Sequence, residues 1–506
     1  MARAPKQAEY DVLIIGGGIN GCGIARELSG RGYQVYLAEM NDLASGTSSW
    51  SSKLVHGGLR YLEQYEFKLV REALAERKTL MDMAPHLVRP ARFILPHNRQ
   101  MRPKWLIRLG LSIYDHLDLF GRTRRHGTSN GKSLKGIRTV SFRNDRTGQP
   151  LKPEYSTGFE YADCFVDDTR LTIINARAAS QQGATIKPRH KVESVKRVGD
   201  RWHASIQSET ISCKLVINAA GPWADTVLDN LAVAPAARNI RLVQGSHIIV
   251  NALFEHDQPY ILQHDDGRIV FAIPYLDKFT LLGTTDTEYS GDPAKAEITS
   301  EEQAYILEVV NRYFLRQLTQ KDVIASYSGV RPLFNDSNAS AQKVTRDYVL
   351  NWQKDAENWL NIFGGKLTTY RTLSCEVAEM VTSMLGRTEQ TGWHSDAVLP
   401  GTPEQTEFAQ WEAEFHQTYA FLDPGLRRRL CQHYGADAEQ IIGTARSQAE
   451  LGTDFGGGLT VAEIEFLREH EWAETVSDII WRRTKLGYVL DASQKQAISA
   501  YLDSKS

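Results

Sequence analysis

Residues 11–23 read DVLIIGGGINGCG, an apolar run that breaks into glycines spaced to hold a dinucleotide. Val12-Leu13-Ile14-Ile15 is β-branched and aliphatic, as in a strand buried on both faces of a parallel sheet. Gly16, Gly18 and Gly21 then complete G-x-G-x-x-G. The first permits a tight turn, the second lets backbone approach a pyrophosphate, and the third lets the next helix pack on the strand. That helix is expected to begin near Ile19, presenting unpaired N–H groups and roughly half a unit of positive charge to the phosphates. A second strand is expected at 34–38. Glu39 ends it about twenty positions after Gly18, where an acid meets a ribose hydroxyl. Strand, helix, strand and acid in register predict a bound dinucleotide rather than a plain glycine-rich turn.

At 506 residues the chain exceeds one ordinary core, so two or three domains are expected. Apolar residues make up 42% and charged residues 24%, the mixture of a globular protein rather than a disordered one. A net charge of −2 gives no reason to expect nucleic acid as a partner. Cys22, Cys164, Cys213, Cys375 and Cys431 are scattered without C-x-x-C spacing, so neither a disulfide framework nor a metal site is expected. The first apolar stretch is the dinucleotide strand itself, so no signal peptide is expected. No apolar run approaches the roughly 20 residues that span a bilayer.

Further along, 53–84 has a helical pattern that Pro85 breaks, and 121–160 is polar and Gly-rich, as in a long loop. A helix is expected after Asp167-Asp168, running to Gly183. Residues 191–198 and 202–207 alternate like paired strands, and 215–217 is another buried strand. Residues 241–288 read as several strands. From about 395 to the end the segments become helical, at 426–433, 461–470 and 476–485.

Three stretches carry chemistry. Residues 46–62, GTSSWSSKLVHGGLRYL, follow Glu39 where α/β ligands bind. Thr47, Ser48, Ser51 and Ser52 offer hydroxyls to phosphates, Lys53 offers a charge, and Gly57-Gly58 permit close approach of a planar ring. Ala220 and Gly221 lie in NAAGPW, which follows a buried strand and resembles the second glycine motif of flavoproteins, where the chain returns beside the cofactor. Gly364, Gly365, Lys366, Leu367 and Thr368 lead into a helix whose N–H groups suit the pyrimidine carbonyl of a flavin and the negative charge of its reduced ring.

The run of GGGINGCG, TSSWSSKLVHGGLRYL, GSHIIV, GTTDTEY, YSGVRPL, TRDY, FGGKLTTYR and WRRTKLG resembles the FAD-dependent glycerol-3-phosphate dehydrogenases of the membrane-peripheral, respiratory type. The resemblance implies an α/β protein with a discontinuous, Rossmann-like FAD-binding domain of the glycine/D-amino-acid oxidase type, a β-rich substrate domain and a helical C-terminal cap. The expected boundaries are 1–95 with 155–240 and 330–394 for FAD, 96–154 with 241–329 for substrate, and 395–506 for the cap.

The implied reaction oxidises sn-glycerol 3-phosphate to dihydroxyacetone phosphate, and the electrons pass through FAD to a membrane quinone. Arg331, Arg346, Arg60 and Lys366 match the family's substrate region, and guanidinium forks suit phosphate oxygens. Tyr61 is placed to orient substrate. His247 is the candidate base, since an imidazole titrates near neutrality. In the alternative, Arg331 polarises the alkoxide and a bound water acts as base. Residues 99–125 surround Trp105, Leu106, Ile107 and Leu109 with arginines and Lys104, as in an interfacial helix on anionic lipid. The expected location is therefore peripheral, on the cytoplasmic side of the inner membrane, with a homodimer compatible. Two other readings stay open: an oxidase returning electrons to oxygen as peroxide, and a non-catalytic flavin-binding module.

Overall fold

A computed structural model describes residues 8–59, 66–120, 136–231, 233, 239–335, 347–354, 356–386, 393–403 and 406–505. The glycine motif sits in an eight-stranded sheet. Ala8–Ile15 runs parallel to Val35–Ala38 on one side and to Glu209–Asn218 on the other. Thr185–Lys187 and Trp359–Phe363 extend the parallel core outward, and Val349–Trp352 closes one edge antiparallel. Val192–Val198 and Arg201–Ile206 pair antiparallel, as their alternation predicts, and Arg201–Ile206 also lies on Glu209–Asn218. Ile15 is in register with both Ala38 and Asn218, so these strands end at one level and the turns after them converge.

Helices Ile19–Gly30 and Tyr370–Leu385 cover this sheet together with Asp168–Gln181. Asp167 caps the last of these by accepting the Arg170 N–H at 3.0 Å. The helical pattern from 53 to 84 is only partly realised. Leu54–Val55 is a strand and the helix is Phe67–Met83. Lys53 at φ 58° and Gly58 at φ 73° turn the chain where a helix would need negative φ.

A second, ten-stranded sheet draws its strands from both sides of the expected boundaries. Val88–His97 and Thr157–Val166 pair along their full length, from Val88 opposite Val166 to His97 opposite Thr157. Val323–Phe334 lies antiparallel to Ile240–Asn251. Thr157–Val166 and most of Val88–His97 lie within segments expected from sequence to belong to the nucleotide layer. Distant pairing, not chain position, places them in the second sheet. Within the stretch expected to be one long loop, Arg138–Ser141 pairs with Thr157–Val166, while 121–135 lie outside the described residues.

The C-terminal part is helical around its own core. Buried ion pairs fasten it to the nucleotide layer: Arg170 to Glu471, Arg177 to Asp437 at 2.6 Å, and Arg483 to Asp42.

Candidate active site

The converging turns open on one cavity of about 1930 Å³. Gly16 has φ 113°, and a Cβ there would lie 2.6 Å from the Ala219 carbonyl oxygen, so only glycine closes this turn. A Cβ on Gly21 would lie 1.9 Å from the Gly16 carbonyl oxygen. Gly21 therefore seats the helix against the turn and does not itself line the cavity. Gly18 is the N-cap residue, and the Ile19 N–H donates to the Ser48 hydroxyl at 3.0 Å, which brings that hydroxyl to the helix's positive end. The Glu39 carboxylate accepts the Gly17 N–H at 2.7 Å and the Asn41 N–H at 2.8 Å. Burial raises its pKa and those amides oppose the rise.

These residues fit a dinucleotide. The cradle admits no side chain at Gly16, and the buried Oδ1 of Asn20 in the cavity wall finds no partner among the described residues. The volume exceeds the roughly 300–1,000 Å³ of a pocket for one drug-sized ligand, which leaves room for a substrate as well.

The polar loop lines the cavity through Thr47, Ser48, Ser51, Ser52, Gly57 and Gly58, and Ala220, Gly221, Gly364, Gly365, Lys366, Leu367 and Thr368 line it as well. Thr47 Oγ1 donates to the Val330 carbonyl at 2.6 Å, tying the loop to the second sheet. The Gly57 N–H donates to the Tyr114 hydroxyl at 2.9 Å, and that hydroxyl donates to Asp163. Lys53 does not line the cavity as a cofactor cation would. Its ammonium is buried on Asp168, at 2.8 Å from Oδ2, and on the Ser49 carbonyl at 2.9 Å. A lone ammonium is too costly to bury, so it turned inward only because a carboxylate was waiting.

Beyond the loop, His247 on Ile240–Asn251 stands opposite Tyr327 on Val323–Phe334, with the rings stacked at 4.8 Å. His247 Nε2 lies 2.9 Å from the Ser52 hydroxyl, and its Nδ1 has no partner among the described residues. Burial, then the nearby charges of Arg331 and Lys53, push the imidazole pKa well below its ordinary value. The ring is neutral at pH 7.

Arg331 reaches the same cavity wall. Its Nη2 donates to Thr284 Oγ1 at 3.0 Å, and its Nη1 is paired with Asp286. Arg60, Tyr61 and Arg346 lie outside the described residues.

Asp286, Asp168 and Tyr327 were not singled out from the sequence. Asp286 had a signal, an acid inside the Gly/Thr-rich GTTDTEY. Asp168 had a weaker one, its place in the Asp167-Asp168 pair at an expected helix start. Tyr327 had none, because only strand register brings it to His247.

The basic segment forms the helix Lys104–Phe120. Trp105 is 68% exposed, Leu109 50%, and Leu106 and Ile113 are exposed beside them. Arg99, Met101, Arg102 and Lys104, at the start of the segment, also line the cavity, so the helix begins at its rim. Arg122, Arg124 and Arg125 lie outside the described residues. Among the described residues no helix is long and apolar enough to cross a membrane.

Comparison with known proteins agrees with this geometry. Residues 11–371 match the family described as FAD dependent oxidoreductase, and 395–503 match the C-terminal domain of alpha-glycerophosphate oxidase. A glycerol-3-phosphate dehydrogenase of Pseudomonas aeruginosa is 44% identical over 509 residues, covering 99% of this chain and 96% of the relative. A D-erythritol 1-phosphate dehydrogenase of Brucella abortus is 42% identical over 503 residues, covering 97% of each. The solved glycerol-3-phosphate dehydrogenase from Bacillus halodurans, complexed with FAD, superposes with a TM-score of 0.72 at 26% identity, covering 99% of this chain and 95% of that one. With both family models matched and a relative 44% identical along nearly the whole chain, the chain belongs to the family of FAD-dependent glycerol-3-phosphate dehydrogenases.

Proposed function

We propose that this chain oxidises sn-glycerol 3-phosphate to dihydroxyacetone phosphate. The observation that carries the reading is one cavity lined by the glycine cradle and by Arg331, Lys366 and His247 together. FAD, when bound, takes up the two electrons and the hydrogen from the carbinol carbon. Gly16, Gly18 and Glu39 would hold its nucleotide half, and the loops at 46–58, 220–221 and 364–368 its flavin half.

The chain's own groups do the rest. Arg331 and Lys366 grip the phosphate, together with Arg60 and Arg346, while Tyr61 orients the polyol. His247, with its Nε2 2.9 Å from the Ser52 hydroxyl, is the base that takes up the carbinol proton. Burial first, and then the Arg331 charge, depress the imidazole. A phosphate dianion bound to Arg331 offsets that charge, so the base strengthens when substrate arrives.

A second reading extends the substrate by one carbinol, to a tetritol phosphate. The similar identity to the Brucella abortus D-erythritol 1-phosphate dehydrogenase favours it. Anaerobic titration of the flavin spectrum with each phosphate tests both. The expected result is bleaching by glycerol 3-phosphate with the higher kcat/KM; a flavin that stays oxidised with either compound refutes the reading.

We also propose that the exposed apolar face of Lys104–Phe120 and its basic flank rest on anionic lipid, peripheral to the cytoplasmic side of the inner membrane, and that a quinone there accepts the electrons. The position of the helix at the cavity rim supports this. Reduction of a quinone analogue faster than peroxide release separates it from an oxidase. Loss of vesicle binding in the Trp105→Glu, Leu109→Glu variant tests the surface.

A further inference from the structure

No described residue of the helical cap lines the cavity, yet one cap side chain reaches the helix start that holds the lining loop. Lys485 is 5% exposed, and its ammonium lies 2.7 Å from Asp167 Oδ1 and 3.3 Å from Thr169 Oγ1. The next residue, Asp168, is fully buried and holds the loop. Its carboxylate accepts the Ser51 N–H at 3.2 Å, the Ser51 hydroxyl at 2.7 Å and the Lys53 ammonium at 2.8 Å. Ser52, between those two residues, meets His247. Tyr327 closes the loop from the far side by donating its hydroxyl to the Ser51 carbonyl at 2.7 Å, with its ring stacked on His247.

Lys53 and Lys485 share a further property: both are non-glycine residues in left-handed backbone, at φ 58° and 56°. Such a conformation is costly and persists where neighbours over-determine it. Each of the two is a buried ammonium on one of two adjacent carboxylates at the start of the same helix.

We propose that Asp167 and Asp168 tie the cap to the active-site loop, and that Lys485 is thereby a positioning residue for Ser52 and His247. The inference rests on the reading of His247 as the base. The cap has other ionic fastenings, among them Arg177–Asp437, that do not touch the loop. They supply the control. If the Lys485 contact merely glues the cap down, cutting it and cutting Arg177–Asp437 have the same consequence.

The test compares FAD-loaded Lys485→Met with FAD-loaded Asp437→Asn. Two measurements are made: amide hydrogen exchange over 46–58 without substrate, and anaerobic flavin reduction by glycerol 3-phosphate. In Lys485→Met the loop exchanges faster and the limiting reduction rate falls about tenfold or more, while the substrate concentration for half-saturation stays within about threefold. Asp437→Asn leaves both near wild type, and Lys485→Arg restores most of the rate. Where Lys485→Met does not fold because Asp167 is left unpaired, the Asp167→Asn, Lys485→Met pair removes both charges and is held to the same expectations. Unchanged loop exchange, or equal slowing in Lys485→Met and Asp437→Asn, overturns the proposal. The exchange measurement needs no turnover, so wild-type protein that is not reduced refutes the functional reading and leaves the tie to be judged on exchange.

Discussion

Replacing Arg331 by alanine removes a guanidinium whose donors face Asp286 and Thr284 at the cavity wall. A charge-assisted hydrogen bond is worth about 1.5–3 kcal/mol net, so a two-pronged grip on phosphate is worth about 3–6 kcal/mol. The side chain is 30% exposed, and Lys366 remains nearby, so the lower part of that range applies. The expected loss in kcat/KM is about 10²–10³-fold, or ~3–4 kcal/mol. Stopped-flow reduction of the bound flavin under anaerobic conditions reads the variant. An Arg331→Ala enzyme within threefold of wild type, with flavin retained, refutes Arg331 as a phosphate ligand.

Gly21→Ala places a methyl group 1.9 Å from the Gly16 carbonyl, forcing the helix off the turn; purified protein should carry little bound flavin, and full occupancy by absorbance would contradict the cradle. His86 is buried with neither ring nitrogen partnered among the described residues, and burial followed by the charges of Arg170 and Arg177 pushes its pKa from 6.5 down to about 3. The folded state thus holds His86 neutral while the unfolded chain takes up a proton below pH 6.5. Stability is complete above that value and falls by about 1.4 kcal/mol per pH unit on acidification toward pH 3. His86→Leu should leave Tm nearly unchanged at pH 8 and flatten its decline between pH 6.5 and 5; an unaltered slope would contradict the burial argument.

Much of the nucleotide layer was legible because its signals are local. A buried parallel strand, a glycine turn and an acid at fixed spacing are consequences of backbone sterics within about thirty residues. The helix expected near Ile19 begins there, and the one expected after Asp167-Asp168 begins at Asp168. The substrate end was less legible. His247 and Arg331 could be nominated from residue type, but the ring facing the imidazole and the acid facing the guanidinium come from other strands. Lys53 shows the limit most clearly. In sequence it is a cation within a phosphate-facing loop; in space it turns to a carboxylate that follows it by more than a hundred positions.

By itself the sequence determined the dinucleotide cradle, the family, and the helical character of the C-terminal part. The tertiary structure alone decided which strands joined the second sheet and which cations face the cavity. It also decided how the cap reaches the loop. The reason is range: turn geometry and helix capping are settled by neighbours along the chain. Strand register and buried charge pairing are settled only when distant segments meet and an ion must find its partner or stay in water.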